Sequence, residues 1–282
     1  MTEFGAHLPL IDFEGARRTL ADLREFAHRA AVFGYRYLCA NDHLLFARPW
    51  LDGPTALAAT IEASEGMTLA TTVCLPVIRG PVQSAKMLAA LDVLSGGRLI
   101  AGVGPGSSPR DYEAIGVPFE ERWRRFDEAI RDLRASLRGE GAAPPIWVAS
   151  WGSPAGLRRV ARLGDGWLAS GYNTTPSAFA ASLARLREER ALPNGIATMW
   201  LHVTDTRRDA ERMLEQVLAP MLNRPVDALR EFALPIGSPE QCAERIAAYR
   251  DVGAERIFVW PLEDELRQLE RFREDVVPLV PA

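Results

Sequence analysis

The chain has 282 residues, of which 48% are hydrophobic and 25% charged, and its formal net charge is −4. These values are typical of a soluble globular protein and fit one large α/β domain over residues 1–282 better than two small domains. Since no basic stripe with interleaved aromatic residues is present, nucleic-acid binding is not expected. No apolar run approaches the roughly 18 residues that span a bilayer, and we expect no membrane association.

The cysteines and the amino-terminal residues predict the compartment. Cys39, Cys74 and Cys242 form no CxxC pair, and their spacing suits neither a zinc site nor a disulfide framework. We expect three reduced, mostly buried thiols, no metal, and a cytoplasmic protein. The first fifteen residues agree, because they lack the basic and apolar segments of a secretory signal.

Strand-like and helical segments alternate along the chain. We predict strands at 4–8, 35–40, 67–73, 98–103, 145–150, 166–170, 198–203 and 256–260, and amphipathic helices at 17–33, 120–138, 175–189 and 239–252. This alternation predicts a parallel sheet with helical crossovers, and eight such units match a (β/α)8 TIM barrel. A doubly wound open sheet is the alternative. Residues 205–240 are less regular, and we interpret them as a candidate insertion that covers one end of the barrel.

The stretch 85–106 shows one such unit in detail. A helix is followed by Ser95, Gly96 and Gly97, which end it, then by a short apolar strand and a glycine loop. The loop nearly matches GxGxxG, but Ser107 replaces the last glycine. No acidic residue closes the next strand, so the dinucleotide-binding interpretation fails. The loop instead allows a flat ligand or a phosphate to approach the backbone closely.

Polar residues follow several of the predicted strands, where barrels bind their ligands. The sharpest pair is Asp42 and His43, because histidine can exchange a proton near neutral pH. A capping role for Asp42 and a structural role for His43 are the alternatives. His7 and His202 either line the pocket or belong to the core. The charged run 110–113 is expected to face solvent, and the alternative is that it reaches a pocket.

The segment after the fifth predicted strand reads Ser-Trp-Gly-Ser-Pro. Ser153 fits an N-cap and Pro154 the first residue of a helix. A helix amino terminus carries free N–H groups and partial positive charge, which suit a phosphate. A capped helix that binds nothing is the alternative.

Residues 85–130, AKMLAALDVLSGGRLIAGVGPGSSPRDYEAIGVPFEERWRRFDEAI, resemble the luciferase-like monooxygenase family of flavin- and deazaflavin-dependent barrels. The Asp-His pair at 42–43, the segment RLGDGW at 162–167 and the carboxy-terminal segment GSPEQCAERIAAYRDVGAERIFVWPL are also similar to that family. The resemblance implies a TIM barrel whose carboxyl rim holds an isoalloxazine-type ring, and it implies a homodimer.

The resemblance also implies roles for individual residues. His43 lies near the ring and the substrate, with Asp42 beside it, and a non-prolyl cis peptide joins Thr72 to Val73. The predicted cofactor-binding residues are those beside the ring, followed by those at the phosphate: Thr72, Val73, Gly104, Gly106 and Ser107, then Ser150, Trp151, Gly152 and Ser153.

Two departures bear on the substrate. Members that oxidise sugar phosphates carry a tryptophan where this chain has Ala47 and a glutamate where it has Ser107, so such a substrate is disfavoured. Phe46, Trp50 and Trp151 are candidates for an apolar substrate pocket instead. The Asp42-His43 pair and the compact form of the chain favour coenzyme F420, and we predict an oxidoreductase that uses F420 on a small organic substrate. An FMN-dependent monooxygenase and a non-catalytic flavin-binding barrel are the alternatives.

Overall fold

Eight parallel strands close into a barrel in the computed structural model, which describes residues 2–13 and 18–281. The strands of the described ranges are β1 Glu3–His7, β2 Tyr37–Ala40, β3 Thr68–Thr71, β4 Leu99–Val103, β5 Ile146–Ala149, β6 Gly166–Ser170, β7 Asn194–Val203, β8 Ile236–Gly237 and β9 Arg256–Pro261. Each of β1 to β6 pairs in parallel with the next along the chain, β6 pairs with β7, β7 with β9, and β9 with β1. The ring of pairings confirms the (β/α)8 prediction and excludes the open sheet.

Helices connect successive strands, as parallel pairing requires. They are α1 Leu20–Val32, α2 Gly53–Thr60, α3 Pro76–Arg79, α4 Pro81–Leu94, α5 Pro109–Ala114, α6 Arg122–Gly139, α7 Pro154–Leu163, α8 Pro176–Glu189, α9 Arg207–Arg212, α10 Ala219–Leu222, α11 Val226–Arg230, α12 Pro239–Asp251 and α13 Glu265–Arg271. The described residues also form two 3₁₀ turns, Phe119–Glu121 and Val277–Leu279, and two π-helical segments, Met213–Leu218 and Phe272–Val276. No helix within the described ranges has both the length and the apolar character to span a membrane.

The predicted helices end within one or two residues of the observed ones, and local capping explains the differences at their starts. The helix predicted from residue 17 begins at Leu20, because Thr19 and Asp22 form a capping box; residue 17 itself lies outside the described residues. The helix predicted from residue 120 begins at Arg122, because Pro118 leads into the tighter turn Phe119–Glu121.

Two strand predictions were incomplete. The short strand β8 was missed, since two residues carry no detectable alternation. Strand β7 begins at Asn194, four residues before the predicted start at 198. The ladder between β7 and β9 shifts register between Ile196 and Met199, around Thr198. A bulge of this kind breaks the sequence pattern of a strand without ending the strand.

The core has separate layers. One layer packs the helices against the outside of the barrel, and a second fills the barrel interior with residues such as Tyr37, Trp147 and Phe258. A third apolar cluster joins Trp200 of β7 and Trp260 of β9 to residues of the segment 213–236. This packing agrees with the prediction that residues 205–240 cover one end of the barrel.

Candidate functional site

A cavity of about 500 Å³ opens at the carboxyl ends of the strands, a volume suited to a small-molecule or cofactor site. Residues that follow β2, β3, β4, β5 and β6 line it, together with residues of β7. Ten of the eleven predicted site residues meet there: Asp42, His43, Thr72, Val73, Gly104, Gly106, Ser107, Ser150, Trp151 and Ser153. Gly152 does not line the cavity; its amide donates to the Ser150 hydroxyl at 3.2 Å and so shapes the loop.

His43 stands on the loop between β2 and α2, with one fifth of its side chain exposed. Its Nδ1 lies 3.2 Å from Oδ2 of Asp111. The ring also contacts Phe46 and Trp50, with centroid separations of 5.2 and 4.8 Å. Phe46 and Trp50 are not among the residues that line the cavity. Since Asp111 engages Nδ1, the nitrogen that remains for a ligand is Nε2.

Asp42 is buried beneath this loop and is held by a guanidinium. Arg79 donates from Nε to Oδ2 at 2.6 Å and from Nη2 to Oδ1 at 2.7 Å, a two-point pair. Arg79 also contacts the Asp52 carboxylate. The hydrogen bond to Asp42 raises the pKa of Arg79. Burial raises the pKa of Asp52, but hydrogen bonds from Thr55 and Arg79 outweigh it and lower this pKa overall. Both oxygens of Asp42 are therefore engaged in holding the loop.

The expectation that residues 110–113 face solvent was wrong for Asp111 and Tyr112, which are 1% and 0% exposed. Ser108 caps α5 and accepts from the Asp111 amide at 3.3 Å, which turns the helix so that these two side chains face the interior. Burial raises the pKa of Tyr112 to about 12. The Ser-Pro pair before Asp111 is the sequence signal that could have placed this helix start.

The β3 and β4 loops form the floor of the cavity. The peptide bond between Thr72 and Val73 is cis, as the family resemblance implies. A Cβ added at Gly104 would come within 2.7 Å of Val73 Cγ2, so glycine lets the two loops approach each other. The Asn41 amide oxygen and the Thr72 hydroxyl are buried here without a nitrogen or oxygen partner in the described part of the chain. These unsatisfied polar atoms fit a ligand with complementary groups.

The amino terminus of α7 forms a second part of the cavity wall. The prediction for its cap is confirmed: Ser153 accepts from the Gly156 amide at 3.1 Å, and Pro154 is the first helical residue. Ser150, Ser153 and Gly156 line the cavity together. A Cβ at Gly156 would collide with the Ser150 hydroxyl, so glycine brings the helix backbone close to the cavity. The helix dipole therefore favours an anion here.

Arg122, at the start of α6, also lines the cavity and was missed from the sequence. Its guanidinium lies 3.9 Å from the Phe119 ring centroid and donates to the Phe119 carbonyl at 2.9 Å. No carboxylate pairs with Arg122 within residues 2–13 and 18–281, whereas Arg124 and Arg125 on the same helix both pair with Glu121. Many arginines in this chain are paired on the surface, so only the fold distinguishes this one.

Thr198 is a second lining residue that sequence patterns do not reveal. It has a φ of +54°, which is uncommon for a β-branched residue, and it occupies the irregular part of β7. Its hydroxyl lies 3.1 Å from that of Ser170 and donates to the Ala197 carbonyl at 2.7 Å. The pair adds hydroxyl groups to the β6–β7 side of the cavity, which lies opposite β2 and β3 in the strand order.

The other histidines contact protein groups. His7 is fully buried and stacks on Trp260 with 3.4 Å between ring centroids. Its Nε2 accepts a hydrogen bond from the backbone amide of Asn41 at 3.0 Å. Burial lowers the pKa of His7 to about 3, so it stays neutral. His202 Nε2 lies 2.7 Å from an Asp209 oxygen, and the exposed His28 pairs with Glu65. Among the described residues, no cluster of three or more metal-ligating side chains occurs.

A closed parallel barrel with a cavity at the carboxyl ends of its strands is the architecture of TIM-barrel enzymes. Residues 9–225 match the family model described as luciferase-like monooxygenase, and the chain belongs to that family. The F420-dependent glucose-6-phosphate dehydrogenase of Kribbella flavida is 28% identical over 92% of this chain and 94% of its own length.

Two solved structures share the fold over almost the whole chain. An F420-dependent secondary alcohol dehydrogenase in complex with an F420-acetone adduct has a TM-score of 0.83 and 17% identity, covering 100% of this chain and 99% of its own. Monooxygenase RslO1 from Streptomyces bottropensis has a TM-score of 0.80 and 20% identity, covering 98% of this chain and 99% of its own. At these identities the likeness establishes the common fold.

Proposed function

We propose that this protein is an oxidoreductase that uses coenzyme F420 to transfer a hydride to or from a small organic substrate. The observation that carries the proposal is that one cavity holds both a histidine suited to proton exchange and a helix amino terminus suited to a phosphate. The F420-dependent relatives, which match over most of this chain, support the choice of cofactor.

The cavity residues fit such a cofactor. A flat ring would lie beside Thr72, Val73, Gly104, Gly106 and Ser107, where little side-chain bulk and two unsatisfied polar atoms are available. The phosphate would bind near Ser150, Trp151 and Ser153, with Gly152 shaping the loop and Arg122 adding a positive charge. F420, when bound, supplies the ring carbon that accepts or donates the hydride.

The chain's own residues would handle the proton. As a substrate alcohol is oxidised, its carbon loses a hydride and its hydroxyl loses a proton, which His43 Nε2 accepts. In the reverse direction His43 returns that proton to the carbonyl oxygen. Asp42, with both oxygens held by Arg79, acts as a positioning residue for the His43 loop.

We further propose an uncharged substrate. Arg79 holds Asp42, the residue before His43, and its charge is balanced by Asp42 and Asp52. Trp151, one of the candidates for an apolar substrate pocket, lines the cavity, whereas Phe46 and Trp50 pack against the His43 ring outside it. Together with Ala47 and Ser107, this environment favours an alcohol or carbonyl compound with an apolar body. A sugar phosphate, the substrate named for several relatives, would find the guanidinium of Arg79 already paired with two carboxylates.

The remaining proposals concern organisation. Because one sheet contains every strand of the described ranges, we propose a single domain over residues 1–282. Three free, buried cysteines support a reducing, cytoplasmic location. The exposed apolar side chains Val82, Val93 and Leu94 on α4 support a homodimer, which sedimentation at several protein concentrations would test.

The deciding experiment measures, by fluorescence quenching, how tightly F420 and FMN bind to the purified protein from which cofactor has been removed. We expect F420 to bind at micromolar concentration or tighter and FMN to bind at least tenfold more weakly. Reduction of F420 by a panel of uncharged alcohols, with glucose 6-phosphate as the comparison substrate, then tests the substrate class. Tight binding of FMN without binding of F420 would contradict the proposal and favour the FMN-dependent monooxygenase.

A further inference from the structure

We propose that Asp111 is a positioning residue that fixes the protonation pattern of His43, so that Nδ1 carries the hydrogen and Nε2 presents its lone pair to the cavity. The functional consequence rests on the proposed role of His43 in proton exchange. The structural claim concerns only the two side chains and stands independently of the cofactor.

The geometry of Asp111 admits one arrangement. Its Oδ1 accepts from the Leu45 amide at 2.8 Å, and its Oδ2 lies 3.2 Å from His43 Nδ1. The hydrogen bond from the Leu45 backbone amide fixes the rotation of the carboxylate, so Oδ2 faces the imidazole. An ionised carboxylate only accepts hydrogen bonds, so Nδ1 must be the donor. In a neutral imidazole the other nitrogen, Nε2, is then the acceptor.

The burial of Asp111, without a paired cation among the described arginines and lysines, strengthens the action of its carboxylate on His43. The residue is 1% exposed, and no arginine or lysine of the described ranges forms an ion pair with it. The neighbouring guanidinium of Arg79 is engaged by Asp42 and Asp52 instead. A buried carboxylate without a permanent cation stabilises the positive charge that forms on His43 once Nε2 has taken a proton. The carboxylate thus prepares His43 as a base and supports its charged form.

The same contacts join two loops that meet at the cavity. Leu45 and His43 belong to the loop after β2, whereas Asp111 lies on α5, which follows the glycine loop after β4. Ser108 caps α5 through the Asp111 amide and so sets where the carboxylate points. A purely structural role would require only the bond to Leu45. If Asp111 positions His43, loss of the Oδ2 contact also changes which imidazole nitrogen carries the hydrogen.

The first test is nitrogen-15 NMR of the histidine side chains in the full-length protein without cofactor. The chain has four histidines, and His43→Ala identifies the signals of His43 by difference. We expect neutral His43 to carry its hydrogen on Nδ1. A hydrogen on Nε2 in the wild-type protein would overturn the proposal, whether or not the protein turns over F420.

The second test is Asp111→Asn. The amide oxygen can keep the bond to Leu45, while its NH2 group faces Nδ1 and demands an acceptor there. We expect the His43 hydrogen to move to Nε2 and kcat with F420 to fall by about 100-fold or more. F420 affinity should change by less than about threefold. Glu113→Gln, an exposed acidic residue on the same helix, is the matched control and should keep wild-type kcat.

A double variant separates positioning from general damage. If Asp111 acts through His43, Asp111→Asn should lower kcat by less than about twofold in a His43→Ala background. An equal loss in both backgrounds would overturn the proposal, as would an unchanged tautomer in Asp111→Asn. Should the wild-type protein show the Nδ1 hydrogen and yet fail to use F420, the proposed function fails while the assignment of Asp111 stands.

Discussion

The two ends of the cavity differ in how their charges are balanced. At the His43 end, Arg79 is paired with Asp42 and Asp52, and the His43 ring is bonded to Asp111. At the α7 end, the amino terminus of the helix lines the cavity, and Arg122, another lining residue, has no carboxylate partner in the described chain. The first arrangement holds a side chain in place for chemistry. The second leaves positive potential that an anion can satisfy.

Loss of His43 should produce the largest effect on turnover. His43→Ala removes the proposed proton acceptor, so we expect kcat to fall by about 10²- to 10⁴-fold. Because the proposed phosphate site is at the other end of the cavity, F420 affinity should stay within about threefold of wild type. Steady-state turnover and fluorescence binding measure the two quantities. A loss of F420 affinity as large as the loss of kcat would contradict the assignment of chemistry to the His43 end and cofactor binding to the α7 end.

Loss of Arg122 should show the opposite pattern. Arg122→Gln removes the proposed charge-assisted contact to the phosphate, and such a contact is worth about 1.5–3 kcal/mol, so we expect F420 affinity to fall at least tenfold. The value of kcat at saturating F420 should change little. Arg124→Gln is the matched control on the same helix, because Arg124 is already paired with Glu121 and Glu128. Equal affinities for both variants would remove Arg122 from the site.

The smallest effect concerns the stability of the His43 end. Arg79→Gln leaves Asp42 buried without its cation, and we expect a loss of about 2 kcal/mol in the free energy of unfolding at pH 7, less than for a fully buried pair because Arg79 is one quarter exposed. Urea titration measures this loss, and Arg124→Gln again serves as the control.

The pH dependence of that loss has a definite sign. In the folded protein the pKa of Asp52 lies below its ordinary value of 3.8, so the ionised form stabilises the fold above that value. As the pH falls below about 4, Asp52 takes up a proton and this stabilisation is lost. The difference in the free energy of unfolding between wild type and Arg79→Gln should therefore become smaller below about pH 4. A difference that widens below pH 4 would show that Arg79 does not act through these carboxylates.

Sequence patterns predicted the site where backbone and residue type act locally. The cap at Ser153, the loop glycines and the strand-end position of His43 all follow from neighbours a few residues away, and the structure brings them to one cavity. Patterns failed for Asp111, because its burial depends on contacts with Leu45 and His43, 66 and 68 residues away. Arg122 and Thr198 were missed for the same reason, since their surroundings come from distant segments.

The sequence by itself determined the alternation of strands and helices, and with it the barrel class, because periodicity and capping are properties of short segments. It also determined the family, through a run of loop and helix residues that is recognisable without coordinates. The tertiary structure alone decided which charges are balanced. Arg79 pairs with two carboxylates and Arg122 with none among the residues that the structure describes. That difference arises because closure of the barrel brings separate loops to one rim, where charge pairing depends on distance in space.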